Sequence, residues 1–203
     1  MQSVLLNNFP IYPSTLFCAG RNYAAHIAEL GNTVPKEPVF FFKPNASLAE
    51  HLHVSSWDEP VQYECEIVLV IGKEKFKGVG LGLDLTKRET QNKLKAEGLP
   101  WERAKAFKGA AVVTPFVNVG ALDMLHLELR INNTLVQHGS VAQMLHTPTA
   151  LYKDLETFVT PYENDLLFTG TPEGVGVCFS GDIFHVKLYD GPTVLVDHVW
   201  KVS

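Results

Sequence analysis

The sequence has no C-x-x-C pair, and its three cysteines, Cys18, Cys65 and Cys178, are widely separated. That spacing argues against a thiolate zinc site, and the low, odd thiol count fits a reducing cytoplasm, the expected compartment. No block of Lys and Arg occurs, and the formal net charge of −5 argues against a nucleic-acid partner. No apolar run approaches the length of a bilayer span, so no membrane partner is expected. The stretch MQSVLLNNFPIYP lacks a basic region and meets Pro10 early, which speaks against a signal peptide. Internal repeats, low-complexity segments, Gly/Ser linkers and the G-x-S-x-G elbow of serine hydrolases are missing too.

What is present is a chain of 203 residues with 46% hydrophobic and 19% charged residues, enough to bury a sizeable core. Strand-like runs dominate: TLFCAG, VFFFK, EIVLVIG, AVVTPFVNV, HLELRIN, DLLFTG, DIFHVKLYDG and TVLVDHVWKV. Turn signals separate them at Asn132-Asn133, Ser180-Gly181-Asp182 and Asp190-Gly191. Three helical patterns interrupt them. NYAAHIAELG reads as a short helix with Asn22 as N-cap and Gly31 as its stop. TKRETQNKLKAEG offers Thr86 and Glu89 as a capping box, with Gly98 and Pro100 ending it, and TALYKDLETFV is the third. The expectation is one mainly β domain with peripheral helices (α+β), spanning residues 1 to 203.

Within VQYECEIVLVIG, residues 61 to 72, Glu64 and Glu66 interrupt a run that otherwise reads as a strand buried on both faces. Side chains two apart on a strand share a face, so two carboxylates repel there while losing hydration. A hard divalent cation held by oxygen ligands resolves that conflict, with Asp84, in GLGLDLTKRE at a strand end, as the third ligand. Cys65, between the glutamates, then faces the core. The alternative is that Asp84 is only a turn residue. His26 and Glu29, three apart in the first helix, share a face, and such a pair is either a solvated surface pair or an oriented base. Lys105, in ERAKAFKGA, is either exposed or an anion-binding group. The small residues of FTGTPEGVG, residues 168 to 176, suit a backbone nest for a carboxylate; the spacing is wrong for a dinucleotide fingerprint.

In order along the chain, GRNYAAH, FFKP, YECEIVLVIG, LDLTKRETQ, AKAF, QHG and TGTPEGVG resemble the fumarylacetoacetate hydrolase family in its short branch, from about Phe17 to Lys201. The resemblance implies a twisted β-roll and a divalent cation, Mg²⁺ or else Mn²⁺ or Ca²⁺, on Glu64, Glu66 and Asp84. It implies His26 and Glu29 as a water-activating dyad on a lid, Lys105 as a catalytic residue, and Arg21, Tyr23, Arg88, Gln91, Gly170 and Thr171 as substrate contacts. Members act on small 2-oxo acids by hydrolysis, decarboxylation or tautomerisation, through a common enolate for which the cation is the electron sink. C–C hydrolysis of acylpyruvates is the first expectation, oxaloacetate decarboxylation or keto–enol tautomerisation the alternative, and a silent metabolite-binding role a third. Family habit implies a homodimer. Lys108 and Val112 depart from the family pattern after Lys105, and Asn164 replaces a glycine with the next-best residue for positive φ. SLAEHLHVSSWDEPV, residues 47 to 61, is family-like only in length and position.

Overall fold

The structure, a computed structural model, describes residues 1–54 and 57–203; Ser55 and Ser56, inside the 47–61 segment, lie outside the described residues. The first strands are β1 (Val4–Leu6), β2 (Phe9–Ile11), β3 (Thr15–Gly20), β4 (Val39–Pro44), β5 (Val61–Tyr63), β6 (Cys65–Gly72), β7 (Lys75–Asp84) and β8 (Thr86–Lys87). The rest are β9 (Ala111–Val113), β10 (Val117–Asn118), β11 (Leu125–Ile131), β12 (Thr134–Ser140), β13 (Leu166–Phe168), β14 (Gly176–Val177), β15 (Ile183–Asp190) and β16 (Thr193–Lys201). The helices are α1 (Ala24–Glu29), α2 (Arg88–Ala96), α3 (Glu102–Lys105) and α4 (Pro148–Leu155). The mainly β expectation holds.

A seven-stranded sheet runs β10-β7-β6-β13-β3-β4, with β9 also on β7; a four-stranded sheet runs β12-β11-β15-β16, and a small one β14-β5-β8. The main core lies between the two large sheets: Ile67, Leu69 and Ile71 of β6 and Val79, Leu81 and Leu83 of β7 meet Leu127, Leu129, Phe184, Val186 and Leu188. The opposite face of β6, Val68 and Val70, enters a second cluster with Leu16, Cys18, Phe116 and Phe168. β6 is therefore buried on both faces, and Cys65 points into the main core while Glu66 shares the face of Val68.

Strand β7 is absent from the strand-like runs because Gly78, Gly80 and Gly82 dilute its pattern. Those glycines occupy one face, where a Cβ would stand 2.7 Å from Leu6, 2.8 Å from Phe116 and 2.7 Å from Phe168 respectively. They let the second core cluster approach the backbone of β7. Gly82→Ala is accordingly expected to destabilise the chain by about 1–3 kcal/mol through overpacking. A denaturant titration showing an unchanged midpoint would contradict this packing account.

Three local expectations are corrected. Residues 61–72 are not one strand: β5 and β6 belong to different sheets, and Glu64 is the break between them. Asn22 does not cap α1; its amide donates to the carbonyls of His146 and Thr169, and its Oδ1 accepts from the His146 N–H at 2.8 Å. Thr86 caps nothing, since α2 begins two residues later and lacks a side-chain cap; its hydroxyl is drawn into the site described next. Gly31 and Gly98 do take positive φ after their helices, and so does Asn164, at 80°.

Candidate active site

The antiparallel register of β6 and β7 pairs Cys65 with Leu83 and Glu66 with Gly82, and the Asp84 N–H donates to the Glu64 carbonyl at 2.8 Å. Glu64, Glu66 and Asp84 thus emerge on one face at one end of the ladder, with carboxylate oxygens within 4.8 Å of one another. All three are buried. At the sheet break the Cys65 N–H finds no ladder partner and donates to Gln137 Oε1 at 3.0 Å. Gln137 Nε2 donates in turn to Thr171 Oγ1 and the Pro172 carbonyl, tying the 169–174 loop to the carboxylate strand.

That loop holds carboxylates, as its small residues suggest, but they are the protein's own. The Gly170 N–H donates to Glu66 Oε2 at 2.6 Å and the Gly174 N–H to Glu29 Oε1 at 3.0 Å. Gly170 has φ 96°, and a Cβ there would lie 2.8 Å from Asn22 Cβ, so both conformation and space require glycine. Thr171 Oγ1 donates to the Cys65 carbonyl while lining the cleft.

Four cationic side chains approach the triad or its rim. Lys105 Nζ, on α3, donates to Glu64 Oε2 and Asp84 Oδ2, both at 2.7 Å, and to Thr86 Oγ1 at 2.6 Å. Arg88, opening α2, donates to Glu64, Gln62 and Gln91. Lys43, wholly buried, lies 2.7 Å from Asp84 Oδ1 and donates to the carbonyls of Leu85, Lys105 and Ala110. The Lys43–Asp84 approach is a charge contact without hydrogen-bond alignment, so Asp84 Oδ1 keeps an unsatisfied lone pair. Arg21 has φ 57°, an uncommon conformation for an arginine, and turns its guanidinium toward Asn32 Oδ1 at 3.0 Å.

The electrostatics split the glutamates. Burial pushes Glu64 up, but the charges of Lys105, Arg88 and His26 outweigh it and hold the carboxyl well below the usual range. Glu66 goes the other way: burial, then the charges of Asp84 and Glu64, raise it well above the usual value. Burial lowers Lys105, yet Asp84 and Glu64 more than compensate and keep it cationic. Among the described residues Glu66 makes no ion pair; the Gly170 N–H donates to it, and burial with the charges of Asp84 and Glu64 favours its neutral form. Three convergent carboxylates with an open lone pair on Asp84 Oδ1 form an oxygen donor set that fits a hard divalent cation.

The pH dependence follows from the raised Glu66. In the metal-free protein its contribution to stability is full below the ordinary carboxylate pKa and is lost as pH rises through its folded value. A cation must displace that proton, so the rise in melting temperature on adding Mn²⁺ is expected to be larger at about pH 8 than at about pH 5.5. Scanning calorimetry at both values checks it; a smaller gain at the higher pH would contradict the ligand role of Glu66.

His26 Nδ1 lies 3.1 Å from Glu29 Oε2, and His26 lines the same cleft as the three carboxylates. The structure therefore gathers Arg21, His26, Glu64, Glu66, Asp84, Arg88, Gln91, Lys105 and Thr171 around one cleft of about 40 Å³. Gly170 supports it from behind through Glu66. Tyr23 is not brought in: it is buried among core residues, its hydroxyl has no hydrogen-bond partner among the described residues, and burial raises its pKa. Lys43 and Gln137 are the residues missing from the sequence-based site. Both lie inside quoted motifs, FFKP and QHG, but nothing in their spacing marks a buried cation or a sheet clamp.

Residues 15–199 match the family model described as fumarylacetoacetate (FAA) hydrolase C-terminal. The oxaloacetate tautomerase YcgM of Escherichia coli is 36% identical, over 94% of this chain and 93% of its own. A mitochondrial oxaloacetate tautomerase of Arabidopsis thaliana is 38% identical over 79% of this chain and 80% of its own. The fumarylpyruvate hydrolase of Pseudomonas aeruginosa, solved with Mn²⁺ and pyruvate, superposes with a TM-score of 0.90 at 28% identity, covering 99% of this chain and 95% of that one. With a family model matched over residues 15–199 and relatives 36% and 38% identical over most of their length, the chain belongs to the fumarylacetoacetate hydrolase family.

Proposed function

We propose that this protein is a divalent-cation-dependent keto–enol tautomerase acting on a small 2-oxo diacid of the oxaloacetate type. The observation that carries the reading is the His26–Glu29 pair, set in the small cleft floored by Glu64, Glu66 and Asp84. Support also comes from the likeness, over 94% and 79% of this chain, to a bacterial and a plant mitochondrial protein named oxaloacetate tautomerases. Mg²⁺ or Mn²⁺ held by the three carboxylates would supply Lewis acidity to the 2-oxo acid.

Glu29 fixes Nδ1 of the imidazole, which leaves Nε2 for proton exchange, and the Gly174 N–H fixes Glu29 from its other oxygen. In the keto-to-enol direction His26 takes a proton from C3, and the C–H electron pair becomes the C2–C3 π bond. The same proton is then delivered to the 2-oxo oxygen, so no water is consumed and no carbon bond breaks. Lys105 stays protonated: its three donors are engaged by Glu64, Asp84 and Thr86, and its part is a fixed positive charge beside the cleft, not an acid that gives up its proton.

Acylpyruvate hydrolysis is the second reading, favoured by the likeness to the fumarylpyruvate hydrolase. The same dyad would then position water against a distal carbonyl. An assay of oxaloacetate ketonisation, followed by loss of enol absorbance with Mg²⁺ or Mn²⁺, is to be run beside acetylpyruvate and fumarylpyruvate cleavage and oxaloacetate decarboxylation. Ketonisation should have the largest kcat/KM; a larger value for acylpyruvate cleavage would replace the tautomerase reading with the hydrolase.

A further inference from the structure

Among the described residues, the cations of the cleft fall into two groups. Lys105 and Arg88 are committed to Glu64 and Asp84, whereas Lys95 and Arg21 make no ion pair. Lys95 follows Arg88 and Gln91 by seven and four residues, so α2 presents all three in a row along one face, leading away from the carboxylate floor. It stands where the inner cleft joins an outer cavity of about 340 Å³ that also reaches Glu29, Gln62 and Asn92. Its ammonium rests 5.0 Å from the centre of the Trp101 ring, an apolar support that leaves its hydrogen-bond donors free. Arg21 Nε, also on the cleft, is buried without a hydrogen-bond partner.

We propose that Lys95, with Arg21 beside it on the cleft, is the subsite for the second carboxylate of a dicarboxylic 2-oxo acid and sets the preference for diacids over monoacids. The inference rests on the proposed reading for the orientation of the substrate, with its 2-oxo acid end on the carboxylate floor. Two cations without anions in a half-buried site are held at an electrostatic cost that a second carboxylate removes. Burial, then the charges of Arg88, Arg21 and Lys105, lower Lys95 to about 8, the behaviour of a lysine facing more cations than anions. Glu64 is the carboxylate that opposes this, and weakly. Among the described residues, the Trp101 ring is the one group that meets this ammonium.

The test uses ligands that cannot enolise, so that it does not depend on the reaction. 3,3-Difluorooxaloacetate and 3,3-difluoro-2-oxobutyrate differ in a carboxylate against a methyl group and carry no C3 proton. Their binding to the Mn²⁺-loaded full chain is measured by calorimetry for the parent, Lys95→Met and Lys95→Arg. The parent should prefer the diacid. Lys95→Met should weaken diacid binding on the order of ten- to a hundredfold, the range of one charge-assisted hydrogen bond, while changing monoacid binding less than about twofold. Lys95→Arg should restore the preference, and the Mn²⁺-induced rise in melting temperature should be the same in all three proteins. The diacid preference of the parent should also fade as pH rises through about 8, where Lys95 loses its proton. Equal loss on both ligands, no loss on either, or a parent without preference would overturn the assignment. A parent that prefers the diacid through Lys95 but fails to ketonise oxaloacetate would reject the tautomerase reading alone.

Discussion

Alanine in place of Asp84 is expected to abolish turnover and, with it, the melting-temperature rise that Mn²⁺ or Mg²⁺ gives the parent protein. On the proposed reading Asp84 supplies one of three ligand carboxylates, and a site of two glutamates, one of them pushed toward its neutral form, is a poor host for a hard cation. At a hundred times its dissociation constant, a cation adds about 2.7 kcal/mol to the parent's stability, and this increment should vanish. A second loss comes from the cations. Lys43 is fully buried and Asp84 is its only ionic partner among the described residues, and Lys105 would keep only Glu64. Removing one partner of a buried pair typically costs about 3–5 kcal/mol, so the alanine variant should also melt well below the metal-free parent. Asp84→Asn keeps the volume and one acceptor oxygen, and serves if alanine does not fold. A folded alanine variant that still gains stability from Mn²⁺, or an asparagine variant that gains as much as the parent, would remove Asp84 from the ligand set.

The carboxylate triad was legible in the sequence because burial and like charge are expensive together. Glu64 and Glu66 two apart in an apolar run already demand a compensating charge, and that demand survives the correction that the run is two strands. The corrected geometry keeps the reading, since at the break between β5 and β6 the Glu64 carbonyl accepts from the Asp84 N–H, which sets the two carboxylates side by side. The capping box at Thr86 and Glu89 failed for a related reason. The hydroxyl that would cap α2 has a stronger partner in the Lys105 ammonium, and tertiary contact overrides a local motif. Lys43 was illegible. In FFKP it follows three phenylalanines, and strand alternation sends Phe41 and Lys43 toward the site while Phe40 and Phe42 pack near Phe158. Only the tertiary fold shows three carbonyls and a carboxylate waiting for it. Tyr23 is placed differently from the other expected contacts: beside Asn22, whose amide is fastened to His146 and Thr169, its ring packs in the core, where after burial the charge of Glu66 is the next influence on its hydroxyl.

His26→Ala separates the dyad from the cation site, and its expected effect is a loss of ketonisation on the order of a hundred- to ten-thousandfold with metal-induced stabilisation kept. The reasoning turns on which bonds the imidazole makes. His26 touches Glu29 and none of the three carboxylates by hydrogen bond, so its removal leaves the floor of Glu64, Glu66 and Asp84 with Lys105 and Arg88 in place. On the proposed reading, what disappears is the group that moves a proton between C3 and oxygen. Decarboxylation of oxaloacetate needs no proton taken from C3, so any such activity should fall less than ketonisation does. Glu29→Gln should show a smaller version of the same defect, because the glutamine still accepts from the imidazole but no longer stabilises its charged form. The measurement is kcat/KM for ketonisation and for decarboxylation in the three proteins, with Mn²⁺ melts as the control for the cation site. If His26→Ala ketonises oxaloacetate at the parent's rate, the proton is carried by another group, and the His26–Glu29 pair only ties α1 to Gly174.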